Sequence, residues 1–229
     1  IPFRSAGGIS WQTYWTNIIM PDGHTVGWYV AGDGSATYVT KDGSDFVSEW
    51  KDLSGASHPL LQATGSLQPK WQSTGILFDG VDNYIKSNNF VYNQPEQIYI
   101  VFSQKTWIAS KGILNGGSGA DQIGFYQRTT SPQFAIYAGV TPLQNAGLTL
   151  NTFGIVTALF SGANSYIKTN DGGKTTGNAG AGNASYIELG DYRYKFGHIE
   201  VKEAIFRSTA DDVATEAAIY NYLKTKYGL

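Results

Sequence analysis

The sequence contains no cysteine. Disulfide bonds, zinc sites built on thiolates and cysteine nucleophiles are therefore excluded. The lack of disulfides leaves an extracellular location open, because a chain of 229 residues can bury a core that needs no covalent cross-links.

Charge and long apolar runs are also scarce. Charged residues make up 15% of the chain, with 16 Lys and Arg against 18 Asp and Glu. There is no basic block, so we expect no nucleic-acid partner, because phosphate neutralisation needs clustered Lys and Arg. No apolar run approaches the roughly 20 residues of a membrane span, so we expect no membrane insertion. No signal peptide is visible, and the first residue, Ile1, leads us to expect a processed chain or a fragment.

Glycine and aromatic residues are abundant, with 28 Gly and 15 Tyr. This composition favours many short strands joined by tight turns. We predict one β-sandwich domain over residues 23–229, because sandwiches of this length commonly form a single domain. Residues 1–22 are predicted to be an N-terminal extension or a linker from a preceding module. Trp11 and Trp15 in that extension favour a partner surface, in a homo-oligomer or a virion assembly.

Most of the chain shows the apolar pattern of β-strands, whereas the segment after residue 211 shows the spacing of a helix. Residues 97–103, 153–160 and 165–169 are predicted strands, whereas the low-complexity segment 175–184 is predicted to be a loop. Near the C-terminus, apolar side chains recur at helical spacing: Val213, Ala217, Tyr220, Leu223 and Tyr227. This spacing predicts one amphipathic helix that packs on the sandwich, with Ser208 or Thr209 as its N-cap and Gly228 as its stop.

Two segments rich in aromatic residues, Asp and Gly, 50–55 and 78–84, specify tight turns. With several later pieces they resemble the laminin-G-like, concanavalin A-like lectin and glucanase superfamily, in its bacterial or phage branch. Those pieces are Gln62, Gln68-Pro69, Gly75-Ile76, 187–190, 197–206 and 222–229. The resemblance implies an all-β, two-sheet antiparallel jelly-roll sandwich with one convex and one concave sheet. Its members are mostly carbohydrate- or protein-binding modules of secreted enzymes, adhesins and phage structural proteins.

Hydrolases of this superfamily carry acidic residues at alternate positions of one strand (Glu-x-Asp-x-x-Glu), which places them on one face. The nearest match is Glu200 with Glu203, which would point to opposite faces of a regular strand. The strand motifs of polysaccharide lyases are also missing. We therefore expect no enzyme activity.

Metal-binding patterns are weak. The three histidines, His24, His58 and His198, stand singly and without the spacing of zinc ligands. Calcium is the better candidate, because this superfamily often binds it on the rim of the sandwich. The candidate ligands are Asp79, Asp82 and Asn83, with Asp121 or Asp191 as further oxygen donors. The competing interpretation is that these side chains close a tight hairpin turn. No cofactor is expected to be required.

Sugar binding needs aromatic planes with polar groups beside them. Candidates lie on the later strands and loops, and Gln122 could add a polar contact. The residues predicted to bind a ligand are Trp107, Asp121, Tyr126, Arg128, Tyr137, Tyr192, Arg193 and Tyr194.

The sequence therefore predicts a non-catalytic module that recognises a glycan or a surface partner. It would belong to a larger protein that is extracellular, on the cell surface or on a virion. The alternative is a structural domain of a phage tail, fibre or capsid decoration with protein partners. A glycoside hydrolase or polysaccharide lyase is the third class, and the missing carboxylate pattern disfavours it. The sequence does not indicate which sugar or protein is bound.

Overall fold

The computed structural model describes residues 22–117, 122–129 and 131–229. The predicted extension 1–22 lies outside these residues except for Asp22. The described residues form seventeen strands and one α-helix. They are β1 (Thr25–Val30), β2 (Val39–Lys41), β3 (Val47–Trp50), β4 (Leu60–Leu61), β5 (Lys70–Gln72), β6 (Gly75–Asp79), β7 (Ile85–Lys86), β8 (Glu96–Gln104), β9 (Gly112–Asn115), β10 (Gly124–Gln127), β11 (Gln133–Tyr137), β12 (Leu143–Ala146), β13 (Phe153–Phe160), β14 (Ser165–Thr169), β15 (Thr175–Gly177), β16 (Glu188–Leu189), β17 (His198–Arg207) and α1 (Val213–Tyr227).

The strands pair into two antiparallel sheets. The first sheet has eight strands in the order β15-β14-β13-β8-β17-β6-β5, with β1 also paired to β17. The second sheet has nine strands in the order β12-β11-β10-β9-β16-β7-β4-β3-β2. The predicted class, a two-sheet antiparallel β fold with one C-terminal helix, is confirmed.

The main core lies between the two sheets. Phe102 of the first sheet meets Phe125 and Phe134 of the second, with ring centroids 5.8 and 5.4 Å apart. On β8, residues 98, 100 and 102 face this core while Tyr99 and Val101 face outwards. Both faces of β8 are buried, as the apolar run in its sequence predicts for a central strand.

Helix α1 covers the outer face of the first sheet. Ile219 and Leu223 pack there with Trp28 and Tyr99. The N-cap is Asp212 rather than Ser208 or Thr209, because its carboxylate accepts a hydrogen bond from Thr215 N at 2.7 Å. The helix ends at Gly228, whose φ of 66° is the left-handed conformation that glycine adopts at low cost. No helix in the described part of the chain is long and apolar enough to cross a membrane.

A buried carboxylate holds the helix to the sheet. Glu203 accepts hydrogen bonds from Trp28 Nε1 at 2.7 Å, from Tyr222 OH at 2.9 Å and from Tyr227 OH at 2.6 Å. Lys226 Nζ lies 2.5 Å from the other side of the same carboxylate. The buried Glu203 carboxylate is thus paired with a lysine and hydrogen-bonded on both oxygens, as burial of a charge requires.

Two local predictions are wrong. The segment 175–184 was predicted to be all loop, but β15 pairs with β14 and forms a short edge strand. Glu200 and Glu203 were predicted to face opposite sides. A bulge between Val201 and Glu203 resets the alternation, so that both carboxylates lie on the outer face of the first sheet.

Candidate functional site

The candidate site lies on the outer face of the second sheet. Alternation along β10 and β11 sends Phe125 and Phe134 into the core and leaves Tyr126 and Tyr137 on the outer face. Helix α1 packs on the outer face of the first sheet and, among the described residues, leaves this face of the second sheet uncovered.

The segment after β16 brings a third tyrosine to this face. It crosses closely over β9 and β10, and two glycines permit the approach. A Cβ on Gly112 would lie 2.0 Å from Tyr192 N, and a Cβ on Gly124 would lie 2.0 Å from the Tyr192 ring. The ring is thereby laid on Tyr126, with 4.8 Å between centroids and 5° between planes.

These tyrosines line an open cavity of about 320 Å³, which we call the tyrosine cleft. Its size is at the lower end of the range for small-molecule sites. Its lining residues are Ser110, Tyr126, Arg128, Tyr137, Pro142, Tyr192, Arg193 and Lys195. The cleft therefore combines flat aromatic surface with hydrogen-bond donors at its edge.

Arg193 is held between two of the tyrosines. Its guanidinium carbon lies 5.4 Å from the centroid of the Tyr137 ring and 5.3 Å from that of Tyr192. Both distances are within the range of cation–π attraction. The arginine head is thus positioned by aromatic faces while the side chain stays exposed.

The loop that carries Arg193 has an unusual backbone. Arg193 and Tyr194 both have positive φ, 54° and 60°. For residues with a Cβ this conformation costs free energy and is found preferentially where function demands it. Two hydrogen bonds hold the loop: Tyr194 N donates to Asp191 Oδ2 at 3.1 Å, and Lys195 N donates to Tyr192 O at 3.1 Å.

The tyrosine hydroxyls stay protonated at neutral pH. Burial raises the pKa of Tyr192 to about 12, although the positive charge of Arg193 acts in the opposite direction. Burial likewise raises the pKa of Tyr126, against the charges of Arg128 and Arg193. Both phenols are therefore neutral groups that donate and accept hydrogen bonds.

A pair of acidic side chains lies on the same face, next to the cleft. Glu188 and Asp191 are only 7% and 4% exposed. Burial, and then the hydrogen-bonded Asp191 carboxylate, raise the pKa of Glu188 to about 7, while Asn115 and Lys86 act to lower it. Asp191 Oδ1 is buried and has no hydrogen-bond donor among the described residues. The two carboxyls are neighbours, and a like charge beside a buried carboxyl favours its protonated form, so Glu188 is the member of the pair whose pKa is raised.

Polar neighbours fix Glu188 in place. Asn115 Nδ2 lies 3.4 Å from Glu188 Oε1 and 3.3 Å from the Tyr186 hydroxyl. Gln122 Nε2 donates to Asn115 Oδ1 at 2.9 Å. Lys86 Nζ lies 3.5 Å from the centroid of the Tyr186 ring. The carboxyl pair therefore sits within a polar network rather than in the apolar core.

The pairing register places the carboxyl pair relative to the cleft. Glu188 pairs with Asn115, and Asn115 pairs with Gly124, over which the Tyr192 ring lies. Two strand spacings, roughly 10 Å, thus separate Glu188 from the strand beneath that ring.

Five of the eight predicted ligand residues meet in the cleft: Tyr126, Arg128, Tyr137, Tyr192 and Arg193. Tyr194 follows in the same loop and is 87% exposed, but its side chain does not line the cavity. Trp107 lies elsewhere: its ring packs on Phe134, 5.1 Å between centroids, at the edge of the core. Asp121 lies outside the described residues.

Sequence reasoning did not find Glu188 as a site residue, nor Ser110, Pro142 and Lys195 of the cleft lining. Glu188 was part of the family resemblance only, in the segment 187–190. Its separation from Asp191 by three positions was a usable signal, because a turn after a short strand can bring two such carboxyls together. The other three come from separate loops, and their proximity depends on the fold.

The predicted calcium ligands close a turn. Asp79 Oδ1 accepts hydrogen bonds from Val81 N at 2.8 Å and Asp82 N at 3.4 Å, and Asn83 Oδ1 accepts one from Asp79 N at 3.3 Å. Within the described ranges no group of three or more His, Cys, Asp or Glu side chains is placed to hold a metal ion. Calcium binding remains an untested prediction.

Neither a protein-family model nor a curated protein sequence matches this chain. Solved structures do. Trypanosoma rangeli sialidase is similar with a TM-score of 0.66 and 12% identity, over 98% of this chain and 36% of that chain. The same sialidase with 2,3-difluorosialic acid, a covalent intermediate, has a TM-score of 0.63 and 12% identity, over 99% and 36%. An arabinofuranosidase complexed with arabinofuranosyl-alpha-1,2-xylobiose has a TM-score of 0.60 and 13% identity, over 80% and 51%.

These neighbours correct two predictions. The chain was predicted to be a non-catalytic binding module and not an enzyme, and both predictions are contradicted because the solved structures it is similar to are glycoside hydrolases. At this level of identity the likeness establishes the fold. The chain spans about a third of the sialidase and half of the arabinofuranosidase.

Proposed function

We propose that this chain is a glycoside hydrolase built on a concanavalin A-like jelly-roll sandwich. It binds an oligosaccharide across the outer face of the second sheet and cleaves a glycosidic bond beside Glu188. One observation carries the proposal: two neighbouring buried carboxyls, Glu188 with a raised pKa and Asp191, lie on the same face as the stacked tyrosines, about two strands away.

The tyrosine cleft suits the apolar faces of a sugar ring. Tyr126, Tyr137 and Tyr192 offer aromatic planes against which sugar C–H groups pack, and the neutral hydroxyls of Tyr126 and Tyr192 exchange hydrogen bonds with sugar hydroxyls. The cleft holds one part of the oligosaccharide and thereby positions the next linkage towards the carboxyl pair.

Glu188 is the proposed proton donor. Protonation of the glycosidic oxygen lets the bond to the anomeric carbon break, and the leaving sugar departs as an alcohol. Water then adds to that carbon and gives a proton to the Glu188 carboxylate, which restores the acid. A donor must hold its proton near neutral pH and still release it in the reaction, which a pKa of about 7 allows. Asp191 acts as a positioning residue that keeps Glu188 protonated, as one carboxylate beside another does.

The proposal also includes the jelly-roll topology of the two sheets and the location of the protein. A jelly roll is supported by the motif resemblance over residues 25–229 and by the two antiparallel sheets. We place the enzyme outside the cell or on a cell or virion surface, where polymeric glycans are met. Since the chain spans only part of the sialidase, we propose that it works within a larger protein.

The test is release of reducing ends from a panel of oligosaccharides by the whole chain. Cleavage of at least one glycan is expected, together with a loss of kcat of about 100-fold or more in Glu188→Gln. Glu49→Gln is the matched control, because Glu49 lies on a distant strand of the same sheet and pairs with Lys51 near the surface. The proposal is wrong if no glycan in the panel is cleaved, or if Glu188→Gln retains wild-type activity.

A further inference from the structure

The charges that line the tyrosine cleft all have one sign. Arg128, Arg193 and Lys195 are exposed cations, and the other lining residues carry no charge at neutral pH. Across the described ranges none of the three cations forms a salt bridge. The cleft therefore presents three positive charges that form no ion pair with any carboxylate in the described part of the chain.

The nearest acidic group on this loop is already engaged. Asp191 Oδ2 accepts the hydrogen bond from Tyr194 N, and the carboxylate lies beside Glu188, whose pKa it raises. Arg and Lys donate hydrogen bonds but accept none. Apart from the neutral hydroxyls of the cleft, the polar side chains are therefore all donors, an arrangement that suits an acceptor such as a carboxylate or a sulfate.

Arg193 is pre-organised for such a ligand. Its guanidinium lies against Tyr137 and Tyr192, and the positive-φ loop holds its backbone in a conformation that residues with a Cβ seldom adopt. A planar fork held in place binds two oxygens of a carboxylate or sulfate side by side. The stacked rings of Tyr126 and Tyr192 lie beside it as a surface for the sugar ring.

We infer that the tyrosine cleft is a subsite for an anionic sugar residue, one whose ring carries a carboxylate or a sulfate. The inference rests on the proposed function, because it assigns the class of glycan that the same enzyme accepts. The anion meets Arg193 and Arg128, with Lys195 adding charge, while the ring lies on the tyrosines.

The test compares ligands that differ only in charge. A hexuronic acid oligosaccharide, its neutral methyl ester and a sulfated oligosaccharide are titrated into the inactive Glu188→Gln chain by calorimetry. We expect the acid to bind at least about tenfold more tightly than the ester and to lose affinity in 0.5 M salt. A better fit of the sulfated ligand than of the acid would identify sulfate as the anion and equally support the inference.

Variants connect the preference to the cleft. Arg128→Gln and Arg193→Gln should each lower affinity for the acid about fivefold or more and leave that for the ester nearly unchanged. Arg193→Lys keeps the charge but loses the fork, so it should give an intermediate value. Lys168→Gln, which removes a cation on the first sheet next to Tyr220, is the control and should behave as the parent.

Three results would overturn the inference. One is an ester that binds within twofold of the acid, another is arginine variants that bind the acid normally, and the last is the failure of every charged ligand to bind. If Glu188-dependent cleavage of neutral glycans is observed together with any of these results, the anionic subsite is excluded but the proposed hydrolase function is still supported. Absence of any Glu188-dependent cleavage would remove the proposed function itself.

Discussion

Tyr192 lies parallel to Tyr126, with 4.8 Å between ring centroids and 5° between ring planes. The two residues are 66 positions apart in the chain, and their contact joins the loop after β16 to strand β10 on the outer face of the second sheet. This stacked pair forms one wall of the tyrosine cleft and carries Arg193 beside it. The site therefore depends on a long-range contact.

The first prediction concerns this stack. Tyr192→Ala should lower the affinity for a bound oligosaccharide about tenfold or more, because the aromatic plane and the packing of Tyr126 are lost together. Tyr192→Phe keeps the ring and serves as the control, with affinity within a few-fold of wild type. Isothermal titration with the cleaved glycan measures both. Equal binding by Tyr192→Ala would show that the stack does not contact the sugar.

The second prediction concerns pH. In the proposed mechanism Glu188 donates a proton, so only its protonated form is active, and kcat/KM should fall as the pH rises through about 7. Asp191→Asn removes the neighbouring negative charge, which lowers the pKa of Glu188 and should move this alkaline limb to lower pH. The measurement is a pH–rate profile of kcat/KM for the wild type and for Asp191→Asn. An alkaline limb that stays in the same place in Asp191→Asn would show that another group causes it.

The third prediction uses a glycine beneath the stack. Gly124→Ala places a methyl group 2.0 Å from the Tyr192 ring, so the ring must move away from Tyr126. We expect a loss of about 1–3 kcal/mol in the free energy of unfolding and a loss of saccharide affinity similar to that of Tyr192→Ala. Gly43→Ala is the control, since a Cβ there meets no atom within 4 Å. Urea unfolding measures the free energy of unfolding, and calorimetry measures the saccharide affinity. Unchanged values in Gly124→Ala would contradict the close packing of the Tyr192 ring over Gly124.

The fourth prediction concerns a carboxyl in the core. Glu96 is fully buried, its Oε1 accepts a hydrogen bond from Ala184 N at 2.8 Å, and burial raises its pKa from 4.5 to about 8. A raised pKa favours the protonated form on folding, so this contribution to stability is complete below pH 4.5 and is lost as the pH rises through about 8. The loss amounts to a few kcal/mol.

Replacement of the carboxyl by an amide removes that titration. Glu96→Gln should therefore flatten the fall in the free energy of unfolding between pH 5 and pH 9, as measured by urea denaturation. Glu49→Gln makes the same change near the surface, where neighbouring Lys51 lowers the carboxyl pKa, and should leave the slope unchanged. A slope that is the same in wild type and Glu96→Gln would count against a protonated Glu96.

The fifth prediction concerns calcium at the 79–83 turn. The oxygens of Asp79 and Asn83 already accept backbone hydrogen bonds, which closes the turn without an ion. We expect the melting temperature to be the same in EDTA and in millimolar Ca²⁺, and calorimetry to show no binding heat. A rise in melting temperature with Ca²⁺ that Asp79→Asn abolishes would establish a calcium site instead.

The sequence was sufficient for the fold class and for much of the cleft. Alternating apolar positions determined which strands exist, since side chains on a pleated strand point alternately to its two faces. The change of period after residue 211 determined the helix that ends at Gly228. Tyr126 and Tyr192, each close to an arginine in the sequence, were predicted as ligand residues together with Tyr137, and the structure brings all three to one cavity, while their binding role stays a prediction.

Other features depended on contacts that no local pattern encodes. The bulge in β17 put Glu200 and Glu203 on one face, and the helix then buried Glu203 among hydrogen-bond donors. Trp107 is of a residue type that commonly binds sugars, but its ring packs at the edge of the core against Phe134. The role of a side chain in these cases was set by what packed against it.

The amino-acid sequence by itself determined a β-rich chain without disulfides, with one closing helix and with tyrosines and arginines on its later strands. Only the tertiary structure decided that the buried carboxyls of Glu188 and Asp191 lie beside each other, where burial and the Asp191 carboxylate raise the pKa of Glu188, and that this pair lies on the same face of the second sheet as the cleft. The physical reason is that strand periodicity is local, whereas burial and a common surface require side chains from distant segments to meet at a few ångströms.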